Sequence, residues 1–442
     1  MSLWFVKQSA IVATPSDSND GKDPFGFNLS AATWTASSKT LVKAGAFSSY
    51  SWVSGDPIWI SSATAGTDGW YEIASKDSDD QLTLGDLIEG TGIATDQTDV
   101  TSSDGPFLTI SHAIDEDNST GNTALSGGDE IRLCNDATWQ PGNINWMHAG
   151  DSDNTIRLVG YSARGSSKEL ATIQATASGQ WEDSAGYHVY ELLDFDLNGQ
   201  NYFINPDGEN QFFISCKFHD GTSVWAVRAD RDNQSFIDCE CYGQLWDGLM
   251  AAGGADNMLL KGCSIHDNGN RGTGFRFRVV DCVIYNNGGY GIVTNSNTDN
   301  EDITGNTIYG NTGDGIAISS GAEPSVIVNN SISNNGGYGI NFTGGTKNYI
   351  LCDYNHYYNN TSGETNLSET PGDNNQSGDP LFTSVVDGSE DFTPKDGSPL
   401  IDNGLAAGGE SGDIGALKGA SAAGGSGAPR IGSSLIHFGS VS

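Results

Sequence analysis

The sequence predicts an all-β chain organised around a parallel β-solenoid, and three observations predict it. Residues 305–316 read GNTIYGNTGDGI and residues 329–340 read NNSISNNGGYGI, nearly the same text 24 positions later. Within such stretches the apolar residues alternate, as in Cys-Val-Ile-Tyr over 282–285 and Gly-Ile-Ala-Ile over 315–318. That is the period of a strand, not of a helix. The composition has 59 Gly, only 12 Pro and 10% aromatic residues, so it is turn-rich yet able to build a core.

The repeat extends well beyond those two stretches. One column runs through Cys216, Cys239, Cys263, Cys282, Asn306, Asn330 and Cys352, with steps of 23, 24, 19, 24, 24 and 22. Two positions later come Phe218, Cys241, Ile265, Ile284, Ile308, Ile332 and Tyr354. Three positions before it lie Phe213, Phe236, Leu260, Val279, Ile303, Ile327 and Tyr349. Five positions after it, Asn268, Asn287, Asn311 and Asn335 align. A Gly-apolar column follows: Gly248-Leu249, Gly274-Phe275, Gly291-Ile292, Gly315-Ile316 and Gly339-Ile340.

Three short strands with intervening turns account for a rung of roughly 22–24 residues. Equivalent strands then stack in register about 4.8 Å apart. One rung cannot bury its own apolar face, so the repeat has to propagate. The asparagine columns are expected to form side-chain ladders at tight turns, where asparagine tolerates left-handed backbone. The cysteine column reads as small buried hydrophobes. A disulfide or a metal site is the other use of such residues, but no CxxC pair occurs and no histidine clusters with them.

Composition also excludes partners. The net charge is −36 with only 20 basic residues. Nucleic-acid binding rests on Lys and Arg neutralising phosphates, so no nucleic-acid partner is expected. No stretch approaches the about 20 apolar residues of a membrane span, so no membrane insertion is expected. The start, MSLWFVKQSAIVATPSDSND, has no basic n-region, and Lys7, Gln8 and Ser9 break its apolar run, so Sec export is not expected.

These rungs resemble the right-handed parallel β-helix superfamily, the pectate-lyase-like fold, over roughly 100–418. SSDGPFLTISHAID (102–115) resembles the segment where such domains begin, and GGDEIRLCND (127–136) and NTIRLVGY (154–161) resemble their first rungs. SGDPLFTS (377–384), DFTPKDGSPLIDNG (391–404) and GDIGAL (412–417) are similar to their closing segment. The superfamily includes lyases, hydrolases, phage tailspikes and non-catalytic surface proteins, so the resemblance implies a fold and leaves activity to be argued from a site.

Residues 27–99 do not follow the rung period. Their runs TLVKAGAF, DPIWISS, GWYEIASK and QLTLGDLI are separated by turn residues and predict a small β domain. Its KAGAFSSYSWVSGDPIWI pattern resembles segments of phage virion proteins. After Lys418, GASAAGGSGAP has linker composition and leads to RIGSSLIHFGSVS, which reads as a docking strand. The expected order is an arm (1–26), a small β domain (27–99), the solenoid (100–376), its closing segment (377–418), and a linker with a docking tail (419–442).

Two regions are candidates for chemistry. The 19-residue step lacks the loop that neighbouring rungs carry after the Gly-apolar column, which predicts a notch. Phe275 and Phe277 are expected to point inward, Arg276 into the notch and Arg278 to its edge, with Asp256, Asp299, Glu301 and Asp302 around it. Arg276 and Arg278 are then glycan-binding candidates; the alternative is that both pair with surface acids.

The second region is AVRADRDNQS (226–235) beside Trp225, Trp246 and Asp247. Trp225 and Trp246 are further glycan-binding candidates. Asp230, Asp232 and Asp247 are the residues available for acid–base catalysis or for Ca²⁺, although aspartates in solenoid loops also serve turns. No EF-hand spacing, GxSxG elbow, P-loop or HExxH motif is present. No cofactor is expected, with Ca²⁺ as the alternative.

The resemblance and the composition together imply a non-enzymatic phage virion protein: a fibre, spike or head/tail decoration touching host polysaccharide. Its partners would be other virion subunits, met through the N-terminal domain and the C-terminal tail, and copies of itself, with a trimer favoured. It would be made in the host cytoplasm and released by lysis. The alternatives are a tailspike-type polysaccharide depolymerase and a secreted, extracellular polysaccharide lyase.

Overall fold

Alternating side chains give each strand one inward and one outward face, and stacking turns this into columns. The computed structural model describes residues 3–6, 29, 31–101 and 125–417 together with 110 and 113, apart from 49–51, 65–66, 91, 96, 126, 136–137, 141–143, 147–148, 164, 252–255, 295–301, 320–325, 344–350, 368–370 and 406–410. Regular structure there is β-strand, save for single helical positions at Ile110 and Ala113. No helix among the described residues is long and apolar enough to cross a membrane. The chain divides into two compact units: one of residues 1–196 with 207–217, the other of residues 197–206 with 218–442.

The first unit holds a closed antiparallel barrel. Its strands Ala32–Thr35, Thr40–Val42, Gln81–Gly90, Thr67–Ser78, Pro57–Ser62 and Gln97–Thr101 pair in that order around the ring. Trp34, Phe47, Ile58, Ile60, Ile73 and Leu82 fill it. Full closure leaves no open edge. The same unit holds the first parallel rungs, with Glu130–Cys134, Ile156–Tyr161, His188–Glu191 and Gln211–Ile214 stacked in one sheet. Leu3–Val6 pairs in parallel with Glu130–Cys134, so part of the expected N-terminal arm is a strand.

The second unit repeats one pattern. Met258–Lys261, Phe277–Val280, Asp302–Thr304, Val326–Val328 and Leu351–Asp353 stack in sheet 1. Ser264–His266, Val283–Tyr285, Thr307–Tyr309, Ser331–Ser333 and His356–Tyr358 stack in sheet 2. Asp247–Ala251, Thr273–Gly274, Ile292–Val293, Ile316–Ile318 and Tyr338–Phe342 stack in sheet 3. Leu260, Val279, Ile303 and Ile327 form one interior column, and Ile265, Ile284, Ile308 and Ile332 another, all buried.

The corners differ from the expectation in one respect. The laddered asparagines are not themselves left-handed. The residue before each corner ladder takes that role: Asp281, Gly305 and Asn329 between sheets 1 and 2, and Asp267, Asn286, Gly310 and Asn334 after sheet 2. Asp, Asn and Gly reach positive φ at least cost, which explains their recurrence. The ladder asparagine that follows is buried and holds the stack together. Asn287 Nδ2 donates to Asn311 Oδ1 at 2.9 Å, and Asn311 Nδ2 to Asn335 Oδ1 at 3.0 Å.

Two registers expected from the sequence are corrected. Cys352 pairs with Ile327 and so belongs to the sheet 1 interior column. The true successor of Asn330 is Asn355, which accepts from Asn330 Nδ2 at 3.0 Å. Likewise Tyr357, not Tyr354, pairs with Ile332. In sheet 3, Thr273 pairs with Leu249 and Ile292, so Gly272-Thr273 occupies the column assigned to Gly274-Phe275.

After Gln376–Ser377 adds a last parallel strand to sheet 2, the closing segment leaves the solenoid. Its two hairpins, Phe382–Ser384 with Asp391–Pro394 and Gly404–Leu405 with Ser411–Gly412, lie along the outer face of sheet 2. Phe382, Phe392, Leu400 and Ile414 form a core that packs on Val283, Tyr285 and Tyr309. Asn329 Nδ2 donates to Leu405 O at 2.8 Å, and Leu405 N–H to Asn329 Oδ1 at 2.7 Å. The linker and docking tail, and most of the N-terminal arm and of 102–115, lie outside the described residues.

Candidate functional site

The outer face of sheet 3 in the second unit brings most of the candidate residues into one neighbourhood. Pairing of Trp225 with Asp247 sets the register. Backbone bonds then carry this column through Arg271, Tyr290, Asp314 and Tyr338, one residue per rung. Leu249, Ile292, Ile316 and Ile340 point to the interior. Met250, Val293 and Ala317 point the other way, yet they are buried as a separate cluster with Trp225 and Phe275 packed against it.

Asp247 is an anchor in this arrangement. It is 1% exposed and accepts from Arg271 Nε at 3.1 Å, Arg271 Nη2 at 2.8 Å, the Arg271 N–H at 3.1 Å and Asn270 Nδ2 at 2.8 Å. Both carboxylate oxygens are engaged by the Arg271 guanidinium, and at 1% exposure the group presents almost no surface to a substrate. Arg271 in turn lies over the Phe275 ring at 5.1 Å.

Asp230 pairs with Arg228 at 2.9 Å, and Arg228 covers the Trp225 ring at 5.4 Å. Asp232 accepts the Asp256 N–H at 2.7 Å. Asp247 sits opposite Trp225, so five residues of extended chain, roughly 16 Å, separate it from Asp230. The structure therefore does not bring Asp247 beside Asp230 as an acid pair, and Asp230 and Asp232 each hold a partner of their own.

The expected notch is also revised. Phe275 and Arg276 are consecutive left-handed residues, with φ of 58° and 61°. They turn the chain directly from sheet 3 to sheet 1, closed by the Phe277 N–H donating to Phe275 O at 2.9 Å. This double turn breaks the alternation. Phe277 enters the core at 3% exposure, whereas Phe275 packs on the outer cluster and is not inward.

Arg276 reaches Asp256 at 3.5 Å, and Arg278 reaches Asp302 at 3.4 Å. Burial pushes the Asp302 carboxyl up, and Arg278 partly offsets it. Both arginines are thus paired with acids, which is the alternative raised from the sequence. Asp299 and Glu301 lie outside the described residues.

What stands open is the corner leading into sheet 3. Trp246, Leu245 and Val224 are exposed there by 49, 57 and 49%, and Tyr290 by 40% two rungs further on. The Trp225–Asp247 register places Val224 beside Trp246. The next two rungs carry Asn268-Gly269 and Asn287-Gly288 at this corner, where this rung has Gln244-Leu245-Trp246, with two large apolar side chains. That difference is a sequence signal for Leu245, which lies in neither a loop insertion nor an acidic cluster. Arg271 and Tyr290 carried no such signal.

A cluster of catalytic residue types also occurs in the first unit. His188 Nδ1 lies 2.7 Å from Asp183 Oδ2, and Tyr190 Oη donates to the same oxygen at 2.6 Å. All three are at most 1% exposed. Burial, and then the Asp183 charge, hold the Tyr190 phenol far above its ordinary range. The cluster belongs to the interior, against Trp146 and Phe213.

Residues 202–362 match the family model described as right handed beta helix region. Among solved structures, pectate lyase Pel9A is similar at 15% identity over 71% of this chain and 91% of that one, with a TM-score of 0.50. A rhamnogalacturonan lyase is similar at 12% identity over 64% of this chain and 87% of that one, with a TM-score of 0.37. Geobacillus virus E2 ORF18 is similar at 12% identity over 58% of this chain and 53% of that one, with a TM-score of 0.34. No curated protein matches the chain. The family match and the likeness to Pel9A show the fold, a right-handed parallel β-helix, and leave the chemistry to the site.

Proposed function

We propose that this chain is a structural protein of a phage virion, a fibre, spike or head/tail decoration, whose β-helix binds host-surface glycans without cutting them. The observation that carries the binding part is the contrast at one corner. Trp246 stands out into solvent while the adjoining Asp247 is buried and locked to Arg271. An exposed indole offers a flat apolar face to a sugar ring, and a buried carboxylate engaged by a guanidinium is not presented to a substrate. The net charge of −36 favours a neutral glycan over an acidic one.

In this reading the barrel and the tail after Lys418 contact other virion subunits, and the working form is a trimer. Cysteines held as thiols suit assembly in a reducing cytoplasm and release by lysis.

The test has two parts. Native protein from its producing culture is sedimented and quantified, and co-sedimentation at a fixed copy number per particle is expected. Purified protein is then offered immobilised host polysaccharide. Retention that falls at least about tenfold in Trp246→Ala is expected, roughly the loss of one good aromatic contact, with no oligosaccharide released. Free soluble protein overturns the virion role, and oligosaccharide release that depends on Asp230 makes the chain a depolymerase.

A further inference from the structure

The interior of the second unit carries a line of thiols that the surface site does not use. Ile237 pairs with Lys261, and Lys261 with Val280, which sets Cys239, Cys263 and Cys282 level on consecutive rungs. The register holds through the cysteines themselves. The Ser264 N–H donates to Cys239 O, and the Val283 N–H to Cys263 O, each at 2.9 Å. Cys263 therefore has a cysteine on either side, and its own Sγ donates to Phe236 O at 3.3 Å.

Packing alone does not require sulfur here. The same column continues as asparagine, and the Cys282 N–H donates to Asn306 Oδ1 at 2.9 Å. The thiol ladder stops where the amide ladder begins. In-register parallel neighbours have Cα atoms about 4.8 Å apart. That lies inside the window of roughly 4.4–6.8 Å that a disulfide spans, although the Cβ atoms must close by about 1 Å. The three cysteines are at most 2% exposed, so a bulky oxidant is excluded. Burial holds the Cys282 thiol well above its ordinary range.

We propose that Cys263 is the pivot of an oxidisable staple: a two-electron oxidation joins it to Cys282 or to Cys239, never to both, and ties adjacent rungs together. With a peroxide as oxidant, one thiolate attacks a peroxide oxygen, the O–O bond breaks, and a sulfenic acid and one water result. The neighbouring thiolate attacks that sulfur and displaces hydroxide, which takes up the remaining proton as a second water. Two thiols and one hydrogen peroxide thus give one disulfide and two waters. The staple closes a rung of 19 or 24 residues in the chain. It stabilises mainly by restricting the unfolded state.

The full chain is treated with hydrogen peroxide below its unfolding temperature, alkylated, and mapped by mass spectrometry without reduction. One disulfide per chain, Cys263–Cys282 or Cys239–Cys263, and a Tm raised by several degrees are expected. Cys282→Ala should move all of the crosslink to Cys239–Cys263, and Cys239→Ala should move it to Cys263–Cys282. Cys263→Ala should abolish it. Should Cys263→Ala fail to fold, the two flanking variants decide alone. Recovery of the three residues as thiols, as sulfinic or sulfonic acids, or in crosslinks to Cys134, Cys352 or another chain overturns the proposal.

Discussion

Asn306 Nδ2 donates to Asn330 Oδ1 at 2.9 Å, and the same oxygen accepts the Asn306 backbone N–H at 3.0 Å. Asn330 repeats the arrangement on Asn355, and its Nδ2 also reaches Ile303 O at 2.8 Å. Each amide thus satisfies backbone groups that the corner would leave buried without partners. An unsatisfied buried polar group costs about 1–3 kcal/mol.

Asn330→Ala removes several such bonds at once, so a loss of about 3 kcal/mol or more is expected. Asn330→Asp keeps the acceptor but turns a buried carboxylate oxygen toward Ile303 O and Asn355 Oδ1, so near neutral pH it should lose at least as much as alanine. Denaturant unfolding of the three proteins measures this. An alanine variant as stable as wild type would show that the ladder contributes nothing net.

Arg271→Ala leaves the Asp247 carboxylate buried with no charge to pair it. A loss of about 3–5 kcal/mol is expected. Asp247→Leu combined with Arg271→Leu should lose much less, because the pair's desolvation cost disappears with it. Thermal unfolding of the single and double variants compares the two. Equal losses would mean that the pair is not the cause.

Phe392 packs between Tyr285, Tyr309 and Phe382 at ring separations of 5.0, 5.2 and 5.2 Å. Phe392→Ala should cost about 3–5 kcal/mol. Because the hairpins contribute little to the parallel sheets, the loss should appear as local opening of residues 379–417 before the solenoid unfolds. Limited proteolysis should cut that segment first. Cleavage within the rungs at the same rate would refute it.

His266 is stacked between Tyr242 at 5.2 Å and Tyr285 at 4.6 Å. Asp267 holds its Nδ1 at 2.7 Å and Glu240 its Nε2 at 3.4 Å, while Glu390 acts on the Tyr285 side. Burial disfavours the charged ring, but the two carboxylates outweigh it and raise its pKa above the ordinary 6.5. A raised folded pKa gives stability that is complete below the unfolded value and lost as pH rises through the folded one. His266→Gln should therefore lower Tm more at roughly pH 5.5 than at roughly pH 8.5. A loss independent of pH would remove the imidazolium from the explanation.

Much of the fold was legible in the sequence because a solenoid uses the same local contacts many times. Leu260, Val279, Ile303 and Ile327 had to share a face because each lies in the same phase of a period-two strand. The candidate site was legible only as a neighbourhood. Trp225, Trp246 and Asp247 do come together, but their roles depend on Arg228 and Arg271, which no motif singles out. The inward direction of Phe275 failed because two left-handed residues in succession reverse a side chain that alternation alone would bury.

The sequence by itself determined the strand period, the two interior aliphatic columns, the turn-forming Asp, Asn and Gly at the corners, and a small β module near the N-terminus. These follow from local sterics and from burial, which act residue by residue. Only the tertiary structure decided which asparagine succeeds Asn330, because loop length does not reveal register and backbone pairing does. Only it seated the closing hairpins on Tyr285 and Tyr309 and locked Asp247 to Arg271. Contacts between residues of different rungs and loops depend on distances that no single stretch of sequence contains.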